Sequence, residues 1–202
     1  MSAGEQAPCL GIIEAVWQRN EVQTETVSNS GEADTIEIGE PFWSIDVKVN
    51  IKDRAHFETW DSFLARRRLH DLTFTMWRTF KPRPRDTSIT SDAGLGVSSI
   101  SVANSTITLS GYGAGKKAHP GDMISYITAG GGYWIGQATA EATADGSGVI
   151  TIPVWPRPVT AHATPAVRRI QALGEFRLSD KPRIREGHKN WSIDFEARQV
   201  LR

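Results

Sequence analysis

From Phe42 to Ile51 the chain alternates without a break, with Trp43, Ile45, Val47, Val49 and Ile51 on one side and Ser44, Asp46, Lys48 and Asn50 on the other. A period of two predicts a strand with one buried and one wet face, the pattern of an antiparallel sheet. Upstream, the apolar run 11–17 predicts a strand that gives way to a polar loop through Asn29–Gly31, and Thr35–Ile38 predicts a short strand ended by Gly39 and Pro41. Downstream, Asp53 offers a helix N-cap, and Phe57, Trp60 and Leu64 recur on one face with Phe63 beside them. The spacing predicts one helix over about 53–69, and Arg66, Arg67 and Arg68 fall in its last turn, where cations suit the helix dipole. Strand alternation resumes at 72–78 and is broken by Pro82 and Pro84.

Beyond about Ser91 the pattern changes to Gly, Ser, Thr and Ala. Short strands are expected at Ser98–Val102, Thr106–Leu109, Met123–Thr128, Tyr133–Ala138 and Val149–Val154, separated by glycine turns. Near-regular short strands predict a small barrel or sandwich, closed off by Pro156, Pro158 and Pro165. The tail returns to the earlier style, with a strand expected between Ile170 and Leu178, a break at Lys181-Pro182, and a second alternating strand over 191–197. There the Trp-Ser-Ile-Asp of 43–46 is repeated at 191–194, again placing Trp and Ile on one side and Ser and Asp on the other.

Two such copies predict paired or adjacent strands of one sheet. Residues 1–90 and 167–202 then form one discontinuous scaffold, with 91–166 inserted. The expected fold class is mainly β with one α-helix: a β-sandwich or split-barrel scaffold carrying a small inserted β-barrel, OB-like or sandwich. Trp43, Ile45, Phe57, Trp60, Trp191 and Ile193 are assigned to the scaffold core.

Composition leaves this picture standing and removes several functions. Hydrophobic residues make up 39% and charged residues 23% of the 202, ordinary globular usage. Equal numbers of basic and acidic residues, 23 of each, remove the overall field of a general nucleic-acid binder, and no nucleic-acid sequence recognition is expected. The one cysteine, Cys9, can form no internal disulfide and has no CxxC partner. The first twenty residues, with Glu5 and Glu14, lack a signal-peptide pattern, and no run approaches the ~20 apolar residues of a membrane span, so cytoplasmic synthesis without membrane insertion is expected.

Candidate chemistry is sparse. Gly111–Lys117 suggests a phosphate cradle, but only three residues separate Gly111 from Gly115, Lys117 replaces the magnesium-binding hydroxyl, and Pro120 blocks the following helix. The histidines His56, His70, His119, His162 and His188 show neither HExxH nor i,i+4 pairing, there is no Gly-x-Ser-x-Gly elbow, and Asp145–Gly148 lacks the ligand spacing of a calcium loop. No catalytic residue, metal ligand or cofactor is assigned. Arg66–Arg68, with Arg78, Arg83 and Arg85 near Trp77 and Phe80, is the densest basic region. Zero net charge favours a capped helix and an interface linker there over a single-strand binding surface. Tyr112, Tyr133, Trp134 and Trp155, in the glycine-rich stretch, are the candidate surface contacts, able to stack on sugars or fill a partner's pocket.

The order strand, aromatic strand, helix, strand, inserted module, closing strand pair resembles the distal tail proteins and related baseplate-hub proteins of long-tailed bacteriophages. The segments 42–47, 57–64 and 74–77 look like their scaffold domain; the segments 119–124 and 145–156 look like a β module recurrent in phage tail proteins. The resemblance covers most of the chain through patterns of fold rather than of chemistry. It implies a structural virion protein at the tail tip, assembled in the host cytoplasm, and not an enzyme. It also implies a homo-oligomeric ring of six copies between the tail tube protein and the hub or baseplate proteins, with the inserted module projecting outward. The alternative is a carbohydrate-binding β module that attaches to a host surface glycan.

Overall fold

In a computed structural model, residues 5–27, 33–69, 72–161, 166–186 and 191–201 are described. The expected loop at Asn29–Gly31, as well as Pro165, His70, His162 and His188, lies outside them.

The strands are β1 (Glu5–Gln6), β2 (Ile12–Val27), β3 (Ala33–Ile51), β4 (Phe74–Trp77), β5 (Gly96–Ser101), β6 (Thr106–Ser110), β7 (Lys117–Ala118), β8 (Met123–Ile127), β9 (Tyr133–Ala138), β10 (Ala142–Thr143), β11 (Ile150–Trp155), β12 (Leu173–Leu178), β13 (Arg183–Arg185) and β14 (Trp191–Gln199). The single helix, α1, spans Arg54–Leu69. The protein is mainly β, and none of its sheets closes into a barrel; the architecture is that of a β-sandwich. The barrel expected for the inserted stretch is therefore corrected to an open five-stranded sheet, β5-β6-β11-β9-β8, with a separate two-stranded β10-β7 pair.

The larger sheet runs β1-β4-β12-β14-β3-β2, with β13 also on β14. Its strands come from both sides of 91–166. The two Trp-Ser-Ile-Asp copies lie in neighbouring antiparallel strands, β3 and β14, with Trp191 opposite Ile51 and Phe195 opposite Val47. The repeated tetrapeptides are thus displaced along the ladder and do not face each other. Alternation holds throughout: Trp43, Ile45, Val47, Val49, Ile193, Phe195 and Ala197 are buried on one face.

Two things cover that face. Helix α1 begins where the Asp53 carboxylate accepts the His56 N–H at 2.8 Å, a side-chain N-cap. It presses Trp60, Phe63 and Leu64 into the sheet, with Trp60 on Phe195 at 5.8 Å and Phe63 on Phe74 at 5.6 Å between ring centroids. Phe57 and Trp191 are only half-buried, their rings tilted against each other at 5.6 Å beside this core. The five-stranded sheet covers the rest: Met123 and Ile135 belong to the scaffold's own core, and Trp155 meets Trp43 edge-on at 4.8 Å. The inserted module therefore does not stand clear of the scaffold. Its far side holds a second core around Ile107, Tyr126, Trp134 and Ile152.

Polar contacts fix this junction. Gln199 accepts the Trp43 N–H at 3.2 Å and donates to the Ile135 carbonyl at 3.1 Å, so one buried amide ties β14, β3 and β9. The chain re-enters the scaffold past Arg169, whose guanidinium donates to Asp92 Oδ1 (3.2 Å), the Tyr112 carbonyl (2.8 Å) and the Ser91 carbonyl (2.9 Å). Both crossings between the modules are thus held by one side chain.

Candidate interaction surface

The sheet face opposite the core carries no covering element among the described residues. Glu14, Val16, Gln18, Ser44, Asp46, Lys48, Asp194 and Glu196 alternate with the buried set and so point to it. They form a charge-laced surface. Lys48 Nζ lies 2.8 Å from Glu14, which raises the ammonium pKa, and Gln18 donates to Asp46 at 3.1 Å. Where β13 borders this face, a cleft of about 310 Å³ opens between Asp46, Lys48, Lys181, Arg183 and Asp194. Balanced charge of both signs over an open sheet face suits contact with a protein surface.

At the sheet's margin, β2 is the terminal strand, and among the described residues no other strand pairs with its outer side from Ile12 onward. Long open edges are templates for pairing with another chain. A bulge between Ile12 and Glu14 turns Ile13 outward, where it is 60% exposed next to Leu10 at 73%. The strand also runs on beyond the sheet. Pairing of β14 with β3 stops at Arg198–Ser44, whereas β2 and β3 continue together to Val27–Ala33. Residues 18–27, expected as loop, are strand because this hairpin continues; their polar composition hid it.

The four candidate surface aromatics are divided by the structure. Tyr112 and Trp134 are not surface residues: they are 1% and 0% exposed. In a module built largely of Gly, Ser, Thr and Ala, few large side chains are available to fill a core, and these aromatics do so. Trp134 stacks on Tyr126 at 4.9 Å and donates to the Arg157 carbonyl at 3.1 Å; Arg169 lies 4.4 Å over the Tyr112 ring. Burial pushes the Tyr112 hydroxyl up to about 12. Trp155 is half-buried against Trp43 with Arg19 at 5.4 Å, and Tyr133 is half-buried at the start of β9. With Tyr112 and Trp134 buried, the four do not together form an exposed platform. Tyr126 and Trp134 lie opposite each other on β8 and β9, a pairing that only the structure reveals.

The remaining motifs are structural. Gly111, Gly113 and Gly115 take positive φ, and the short strand β7 follows them, not a helix. Asp145 accepts the N–H groups of Ser147 and Val149, closing a tight turn. Asp122, in the Pro-Gly-Asp turn, accepts from His119 N and Arg85 N at 2.9 and 2.8 Å. His56 contacts the Leu10 carbonyl at 2.9 Å and His119 contacts Glu141 at 3.1 Å. Among the described residues, no group of three or more His, Cys, Asp or Glu could hold a metal ion, and no helix is long and apolar enough to cross a membrane. Cys9 is half-buried, and burial raises its thiol pKa, away from the reactive thiolate.

No protein-family model matches the chain, and no curated protein matches it either.

Proposed function

We propose that this protein is a structural component of a bacteriophage tail tip, a ring-forming subunit that joins the tail tube to the hub or baseplate and does its work through interface geometry. The observation that carries the reading is the β2–β3 hairpin. Beyond Ser44, where pairing with β14 ends, β2 and β3 form strand pairs only with each other among the described residues, from Gln18 to Val27, roughly 30 Å at 3.3 Å per residue. A free two-stranded ribbon is marginal in water and gains stability when a neighbour covers it. Together with an open edge strand and a charged sheet face, it gives each copy two unlike surfaces, as a head-to-tail ring contact requires. The resemblance in strand order supplies the setting, a tail tip with six copies in the ring.

Negative-stain imaging of the purified chain tests this reading. Rings with a central opening are the expected result. A monomer at every concentration, retained on glycan beads, would overturn it and favour the carbohydrate-binding alternative.

A further inference from the structure

Residues 5–11 run along α1 in the direction opposite to the helix. Glu5 pairs with Arg66, at 3.3 Å, and with Arg67 near the helix C-terminus. Five residues later, the Leu10 carbonyl accepts the Trp60 indole N–H at 3.0 Å and lies 2.9 Å from His56 Nε2, in the first two turns of the helix. Between these ends the segment caps a margin of the larger sheet: β1 pairs with Phe74 and Thr75 of β4, and the Ala7 N–H donates to the Thr75 carbonyl at 2.9 Å. The hold is slight. Ala7 is the one fully buried side chain of the segment; Glu5, Gln6 and Leu10 are exposed, and Pro8 and Cys9 are half-buried. β1 covers two residues and lies parallel to β4, the weaker mode of pairing, whereas the other strand pairs described in this sheet are antiparallel. The segment ends on Gly11, where φ is +75° and a Cβ would sit 2.3 Å from His56 Cε1 and 2.5 Å from the Asn50 carbonyl oxygen.

We infer that residues 5–11 form a releasable strap, which caps the edge of β4 when closed and, when open, leaves that edge bare while the sheet and α1 stay folded. Segments held by few buried apolar contacts and by solvent-exposed polar ones open locally at a free energy well below that of global unfolding. The helix does not need the strap, because Trp60, Phe63 and Leu64 pack on the sheet's own aromatic residues. Nor does its release leave Arg67 without a partner, since the guanidinium still donates to the Thr73 carbonyl at 3.1 Å. An uncovered strand edge is a template for pairing with another chain. The closed strap withholds that template at the β4 margin, whereas no strand covers the opposite margin, β2, among the described residues. The inference is independent of the ring reading, because the strap's contacts all lie within one copy.

Cys9 lies in the strap and is the only cysteine of the chain, so the protein carries its own probe. The test is the rate at which a neutral maleimide labels Cys9 in the folded full chain, compared with a short peptide containing the same residue. The wild type should label more slowly than the peptide, yet much faster than global unfolding allows, and faster as salt screens Glu5 from Arg66 and Arg67. Glu5→Gln should speed labelling roughly two- to fivefold, as loss of a partly exposed ion pair does, and should remove most of the salt dependence. Gly11→Ala should speed it about tenfold or more, because the added Cβ is relieved only by moving the strap off His56 and Asn50. Both variants should keep the wild-type melting temperature to within a few degrees, and amide exchange of Ala7 should quicken in step with labelling. Wild-type labelling as fast as the peptide would show that the strap is not closed. Labelling that tracks global unfolding across a urea series, or that neither variant changes, would show that it does not open by itself. Any of these results overturns the inference and leaves the ring reading untouched.

Discussion

Replacing Arg169 by methionine should loosen the inserted module from the scaffold at the point where the chain crosses between them. The Arg169 side chain is 4% exposed and its partner Asp92 20%, so solvent screens the pair little. Asp92 also accepts the backbone N–H groups of Arg169 and Ile170, at 3.3 and 3.0 Å, and retains these in the variant. What is lost is the guanidinium hydrogen bond to Asp92, those to the Tyr112 and Ser91 carbonyls, and the cation–π contact with Tyr112. Breaking a buried pair from one side typically costs about 3–5 kcal/mol, because the remaining charge is left without its counter-ion. For a chain of this length that corresponds to a fall in melting temperature of roughly 6–20 °C. Thermal unfolding followed by circular dichroism, with urea titration as the second measure, reads the change. The double variant D92N/R169M removes the stranded charge, so it should be less destabilised than the sum of its singles. A single variant melting within 2 °C of the wild type, a shift of roughly 1 kcal/mol or less, would refute the assignment of Arg169 as the clamp.

Three further outcomes follow from the same geometry. Trp134→Ala should destabilise the fold by about 3–5 kcal/mol, as expected for an aromatic removed from a core; a melting temperature unchanged by the substitution, with glycan binding lost, would return Trp134 to the surface. Gly111→Ala should cost about 2 kcal/mol or more, since φ is +71° and a Cβ would sit 2.1 Å from the Gly94 carbonyl oxygen; near-neutral urea titration would show that the loop relaxes freely. The Asp86 carboxyl is held down to about 2 by hydrogen bonds from Ser88 and from the Lys117 N–H. With the folded pKa depressed, its contribution is complete above about pH 4 and is lost as pH falls through about 2. Asp86→Asn should therefore flatten the acid limb of the melting curve between those values, and identical limbs would contradict this.

The scaffold could be read from sequence where one face is buried and the other wet. Trp43 through Ile51 and Trp191 through Ala197 alternate because the sheet is covered on one side by α1 and the inserted sheet and is bare on the other. The helix was legible for the same reason, with Asp53 marking its start. What sequence did not show is structure held by pairing alone. Strand β13, Arg183–Arg185, is wholly exposed and exists because it hydrogen-bonds to β14; β1 is two exposed residues beside β4. The outer half of β2 is polar and has the same explanation. The candidate contacts failed differently. Tyr112 and Trp134 stand among small residues, and that context suggested display, whereas a core poor in large side chains draws aromatics inward. The basic cleft at the end of α1 was visible only in part: Arg67 and Arg68 belong to a conspicuous run, but Arg177 and Lys181, more than a hundred residues away, line it too.

The claim that most of this depends on is that the chain assembles with itself. Sedimentation-velocity measurement of the purified protein, across concentration and salt, tests it most directly. The account predicts a discrete species of six copies of the 22.2 kDa chain. A single 22.2 kDa species at every concentration and salt would contradict it.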